Sequence, residues 1–90
     1  MLEKIINSHT RLAILNCLFN DPERRYYARE LVKALDLDPA NAHKELTSLV
    51  QGGFVKEEKS GRQKFFSADQ ASPFFIGLKE VFSHYRSNVF

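Results

Sequence analysis

One cysteine, Cys17, stands alone in this 90-residue chain, so no internal disulfide can staple it. That excludes the cysteine framework of a small secreted domain. Long apolar runs are also missing, and the opening "MLEKIINSHT" has an acidic residue beside its only lysine. Neither a signal peptide nor a membrane-spanning helix is expected, and a cytoplasmic protein is the default. The chain carries no glycine-rich phosphate loop, no paired catalytic carboxylates and no activated-serine context, which argues against an enzyme. His9, His43 and His84 have no ligand spacing with one another or with Cys17, so neither a metal site nor a cofactor is expected. Cys17 sits among Ile14, Leu15 and Leu18 and reads as a small buried hydrophobe.

What is present points to one folded domain spanning residues 1–90. Hydrophobic residues make up 43% of the chain and charged residues 27%, which excludes a disordered tail. A domain this short buries somewhat over half of its unfolded surface, so self-association would help it. Thirteen basic and eleven acidic residues leave a net charge of +2. That permits a nucleic-acid partner without demanding one, and makes the position of charge matter more than its total.

From Ser8 to Asn20 the positions Leu12, Ile14, Leu15, Leu18 and Phe19 recur at helical spacing, with Asn7 or Ser8 as the cap. The preceding "MLEKII" reads as an extra turn or a short separate helix. Asp21-Pro22 ends the first long helix, because proline pushes its predecessor out of the α region. A second, short helix fits Tyr27 to Leu35, with Leu31, Val32 and Leu35 inward. Asp36-Leu37-Asp38 then makes a tight connection, Asp38 caps a third helix, and Pro39 suits its first position. That helix runs to about Gln51, where Gly52-Gly53 supplies a left-handed backbone. "FVKEEK" and "QKFFSA", joined by Ser60-Gly61-Arg62, read as a β-hairpin. Ser72-Pro73 opens a last helix from Phe74 to about Arg86, with a stripe of Phe75, Leu78, Val81, Phe82 and Tyr85. The fold class is therefore mainly α with a small β-hairpin. Its order, helix-helix-turn-helix-wing-helix, is that of a winged helix-turn-helix.

Residues from roughly Ser8 to Phe82 resemble the ArsR-like winged-helix transcriptional regulators. The resemblance is carried by "SHTRLAIL", "YYARELVKALDL", "KELTSLVQGGFV" and the wing "GRQKFF" followed by "SPFF". It is nearest a subgroup with a Ser-x-Thr-Arg helix start, a Tyr-x-Arg-Glu-Leu second helix and an Arg-Glu-Leu third helix. Here Lys44-Glu45-Leu46 stands where arginine is usual. Some members of that subgroup are fused or adjacent to nucleotidyltransferase domains, and no such segment occurs in this sequence. The resemblance implies a DNA-binding regulator whose terminal helix, residues 74–90, builds a twofold dimer.

In the third helix Ala42, Leu46, Leu49 and Val50 share one stripe and face the core. That leaves Ala40, Asn41, His43, Lys44, Thr47 and Ser48 for a DNA major groove, with Asn41 suited to an adenine edge and Lys44 to guanine or phosphate. The alternative is a polar solvated face. In the hairpin, Lys56, Lys59, Arg62 and Lys64 outweigh Glu57 and Glu58, and Arg62 stands at the tip, where it can reach a minor groove or backbone. A merely solvated edge hairpin protected by charge is the competing account. Arg24, Arg25 and Arg29 cluster at the entry to the second helix. Arg25 and Arg29 are candidates for phosphate, although Arg29 beside Glu30 also suits an internal ion pair. Tyr26 and Tyr27 suit packing of the helix start.

The last helix argues for a partner, with Phe75, Leu78, Phe82 and Tyr85 as the expected dimer interface. Phe65 and Phe66 point to opposite sides of a strand, and both sides need cover. These readings converge on a sequence-specific, homodimeric DNA-binding regulator, a repressor on a palindromic operator, with double-stranded DNA as partner. The alternative is a protein-interaction winged helix partnering a nucleotidyltransferase-like enzyme, and a structured-RNA binder is a third.

Overall fold

A computed structural model describes residues 9–89, and their side chains as far as His84. The expected cap at Asn7 or Ser8 and the "MLEKII" segment lie outside the described residues. Helix α1 (His9–Asn20) is the spine of the domain: Leu12, Ile14, Leu15, Leu18 and Phe19 are all buried. It stops before Asp21-Pro22, as proline requires.

The expected start of the second helix moves by one residue. Tyr26–Tyr27 forms a two-residue strand, β1, and α2 occupies Ala28–Leu35. Tyr27 is extended at φ −74° and ψ 153°, and its N–H donates to the Glu30 carboxylate at 2.8 Å. Glu30 thus satisfies one of the free amides of the helix start. The helix ends on Asp36, a left-handed residue at φ 53°, and Leu37 N–H closes onto the Val32 carbonyl at 2.9 Å. A short polar side chain tolerates that conformation better than most.

Helix α3 (Pro39–Gln51) begins as its sequence dictates. The Asp38 carboxylate accepts from the Asn41 N–H at 2.9 Å, and Pro39 occupies the first turn. Ala42, Leu46 and Leu49 are buried against α1, and Val50 is half-buried. At the far end Gly52 is still right-handed, at φ −77°, and Gly53 supplies the left-handed step at φ 82°. Strands β2 (Val55–Ser60) and β3 (Gln63–Ala68) form the wing, and the two-residue turn Gly61-Arg62 uses glycine at φ 63°. Ser60 belongs to the strand and pairs with Gln63.

β1 completes a three-stranded antiparallel sheet of order β1-β3-β2, with Tyr26 opposite Phe66 and Tyr27 opposite Phe65. Alternation sends Phe66, Val55, Ala68 and Tyr26 into the core and Phe65 to the other face. Phe65 finds its cover inside the chain, stacked on Tyr27 with ring centroids 4.2 Å apart.

Helix α4 (Phe75–Val89) lies along α1. Here the expected dimer face needs correction. Phe82 is fully buried within the protomer, 6.2 Å from the Phe19 ring, so it serves the core and cannot meet a partner. Phe75 and Leu78 are half-buried against the same core, while the Tyr85 side chain lies outside the described residues. Among the described residues the exposed large apolar side chains are Phe74, Ile76 and Val81, of which Ile76 is 79% exposed. Among the described residues no helix is long and apolar enough to cross a membrane.

Candidate nucleic-acid interface

The outer face of α3 is set by its inner grip. Ala40, His43, Lys44, Thr47 and Ser48 are exposed, and the Thr47 hydroxyl donates to the His43 carbonyl at 2.9 Å. Asn41 departs from expectation. Its side-chain amide donates to the Thr10 hydroxyl of α1 at 2.9 Å, and the residue is half-buried. An amide committed to α1 is not presented to a base edge, so Asn41 positions the helix rather than facing outward.

Glu45, the middle residue of the Lys-Glu-Leu motif, is buried and bonded to Arg11 Nε at 2.8 Å. A signal for this was there: Glu45 falls between Ala42 and Leu49 on the apolar stripe, where a carboxylate requires a partner. Arg11 is the matching arginine of the Ser-x-Thr-Arg start.

Between α3 and the wing lies a cleft of about 340 Å³, lined by Tyr27, Arg29, His43, Arg62, Lys64 and Phe66 among others. Cations from α2 and from both the turn and strand of the wing thus border one hollow beside His43, and no carboxylate lines it. Lys64 lies 3.7 Å from Glu57, a loose pairing. Lys59 stands directly opposite Lys64 in the hairpin register, and both are exposed. Like charges directly opposite destabilise a strand pair, a cost that Glu57 beside Lys64 offsets in part.

The arginines before and within α2 lie over aromatic rings: Arg24 over Tyr26 at 4.5 Å, Arg25 over Phe65 at 4.8 Å and Arg29 over Tyr27 at 5.5 Å. All three remain exposed. Because the Glu30 carboxylate accepts from the Tyr27 N–H at the start of α2, the Tyr-x-Arg-Glu-Leu motif divides into a structural carboxylate and an outward arginine.

Tyr26 is buried, and burial, reinforced by its hydrogen bond with the Cys17 thiol, pushes its phenol up to about 12. Cys17 is half-buried, less enclosed than the sequence implied. Among the described residues, no three His, Cys, Asp or Glu side chains gather as a metal site would require.

A three-helix core, a helix presented by a tight capped turn, a two-stranded wing and a closing helix define a winged helix-turn-helix protein. Solved structures share that fold. The transcriptional regulator HlyU from Vibrio vulnificus matches with TM-score 0.72 at 22% identity, over 96% of this chain and 81% of its own. The homodimeric winged helix-turn-helix DNA-binding domain Mb0332 from Mycobacterium bovis, a possible ArsR-family regulator, matches with TM-score 0.65 at 17% identity, over 98% and 74%. Adhesin competence repressor AdcR from Streptococcus pyogenes matches with TM-score 0.73 at 20% identity, over 98% of this chain and 65% of its own. No protein-family model matches the chain, and no curated protein matches it in sequence. At these identities the likeness establishes the fold, the one that the ArsR-like resemblance implied.

Proposed function

We propose that this chain is a sequence-specific DNA-binding transcriptional regulator without catalytic activity, acting in the cytoplasm as a homodimeric repressor on a palindromic operator. The observation that carries this is the cleft where Arg29, Arg62 and Lys64 border His43 on the exposed side of α3. Ala40, His43, Lys44, Thr47 and Ser48 read bases in the major groove, with small Ala40 letting the helix start approach closely. Arg62, Lys59 and Lys64 of the wing and Arg25 and Arg29 hold phosphates. The exposed Ile76 and Val81, which flank the half-buried Phe75 and Leu78 on either side of α4, supply apolar contacts for a second copy. A twofold dimer sets two α3 helices one turn of DNA apart, which a palindrome matches. Among the proteins sharing the fold, Mb0332 is described as homodimeric and AdcR as a repressor.

A binding selection on random duplex DNA, followed by affinity against salt, tests the proposal. If the dimer neutralises roughly 6–10 phosphates, affinity falls about 10³–10⁵-fold between about 50 and 200 mM salt. A shallow salt slope with no preferred sequence would sink it. In that event, binding of a nucleotidyltransferase-like enzyme through α3 favours the protein-interaction reading. Comparable affinity for a duplex RNA of matched length favours the RNA reading.

A further inference from the structure

We infer that Tyr27 and Phe65 are positioning residues. They hold Arg25 and Arg29 on the outer face of the sheet as a preorganised pair of contacts to the phosphodiester backbone of duplex DNA, extending the interface beyond the α3–wing cleft. The inference rests on the DNA-binding proposal and deepens it.

The geometry begins with strand register. Tyr27 on β1 stands opposite Phe65 on β3, and their rings stack at 4.2 Å with 29° between planes. A guanidinium lies over each ring, Arg25 at 4.8 Å from Phe65 and Arg29 at 5.5 Å from Tyr27. The two rings are half-buried and the two arginines exposed, so the stack is anchored at its centre and open at its ends. The element that builds it, β1, is only two residues long. Without its pairing to β3, nothing brings Tyr27 to Phe65.

An exposed arginine ordinarily loses much rotamer freedom when it grips a phosphate. A ring beneath the guanidinium removes part of that freedom before DNA arrives, which is affinity through preorganisation. The planar group packs by its face, and its N–H donors lie in its plane, free to fork onto phosphate oxygens. Lysine has neither the face nor the fork.

Position favours the same partner. Arg29 lines the cleft with His43, Arg62 and Lys64, so the stack continues that basic surface around the sheet edge. At its far end Arg25 borders a second groove beside Lys56, where Glu23, Glu58 and Asp69 also stand. Those carboxylates set the outer limit of an anionic partner. The occupant is a duplex rather than an unpaired strand, because single strands bind by stacking bases on free aromatic faces. Here the rings are stacked on each other and covered by guanidinium groups.

The test uses the full chain and a duplex bearing its selected site, with affinity measured across a range of salt. R25Q and R29Q should each lower the slope of log K against log salt by about 0.9 per protomer. F65L, Y27L and R25K should keep the native slope while weakening binding about two- to fivefold, since charge remains but the ring support, or in R25K the guanidinium that rests on it, is lost. Base preference should not move in any of them. R25K, at an exposed position, keeps the test clear of any folding defect in F65L or Y27L. Native slope and affinity in R25Q and R29Q overturn the backbone contacts. Native affinity in F65L and R25K overturns the positioning role alone. If the native chain binds no duplex, this inference and the DNA-binding proposal fall together. If it binds and every variant matches it, only the inference falls.

Discussion

Arg11 on α1 and Glu45 on α3 are joined by an Nε–H donating to a carboxylate oxygen at 2.8 Å. The preceding residue of α1, Thr10, receives the Asn41 amide at 2.9 Å. Two neighbouring residues of α1 therefore grip α3 at positions four apart, one turn of helix. That grip fixes the rotation of α3 about its own axis. It thereby decides that Ala40, His43, Lys44 and Thr47 point outward.

Breaking this pair on one side should cost more than removing it whole. The Glu45 side chain is 8% exposed, so Arg11→Ala leaves a buried carboxylate without its cation. We expect a loss of about 2 kcal/mol, short of the roughly 3–5 for a fully buried pair because the Arg11 side chain is 40% exposed. Arg11→Met with Glu45→Leu should fold with near-native stability. Urea unfolding midpoints check both, and equal loss in the single and double variants would refute the account.

Alkaline pH should unfold the domain through Tyr26. Its phenol titrates near 12 in the folded state against 10.0 ordinarily, so the unfolded chain gives up the proton first. Stability from this group is whole below pH 10 and is lost as pH rises toward about 12. Tyr26→Phe should flatten the fall in melting temperature over that window. A native-like fall in the variant would remove Tyr26 as its cause.

The two halves of the DNA interface should fail differently. Lys44→Ala, on α3, should change which bases are preferred, at about 1–3 kcal/mol for the affected position. Arg62→Ala, at the wing tip, should weaken all duplexes alike and reduce the salt slope by about 0.9 per protomer. Selections and salt titrations on both variants separate these outcomes, and identical behaviour would show that α3 does not read sequence.

The dimer face should be separable from the core on the same helix. Ile76→Glu, at a position 79% exposed, should yield a monomer whose protomer stability shifts by no more than about 0.5 kcal/mol. Phe82→Ala should instead cost about 3–5 kcal/mol, as expected for a fully buried aromatic. Sedimentation equilibrium with thermal melts distinguishes the two. A dimer that survives Ile76→Glu would place the interface elsewhere.

Which features were legible in the sequence follows from the range of the forces involved. Asp38 and Pro39 start α3, and Gly53 ends it, because capping and backbone freedom act within a turn of the chain. The helical stripes and the hairpin alternation are local for the same reason. β1 was not legible, since two residues carry no period and Tyr26–Tyr27 becomes a strand only through pairing with β3. Nor does periodicity separate an apolar residue facing its own core from one facing a partner. Phe82 and Ile76 both look apolar and helical, yet one is enclosed by α1 and the other open to solvent.

Taken alone, the sequence determined the order of elements, the capped start of the third helix, the basic wing and the absence of a disulfide framework, all consequences of near-neighbour chemistry. Only the tertiary structure decided that Asn41 and Glu45 turn inward to α1 and that Phe65 is covered by Tyr27. It also brought Arg29, His43, Arg62 and Lys64 around one cleft. Those relations join residues far apart along the chain, and packing rather than local preference chooses the partners.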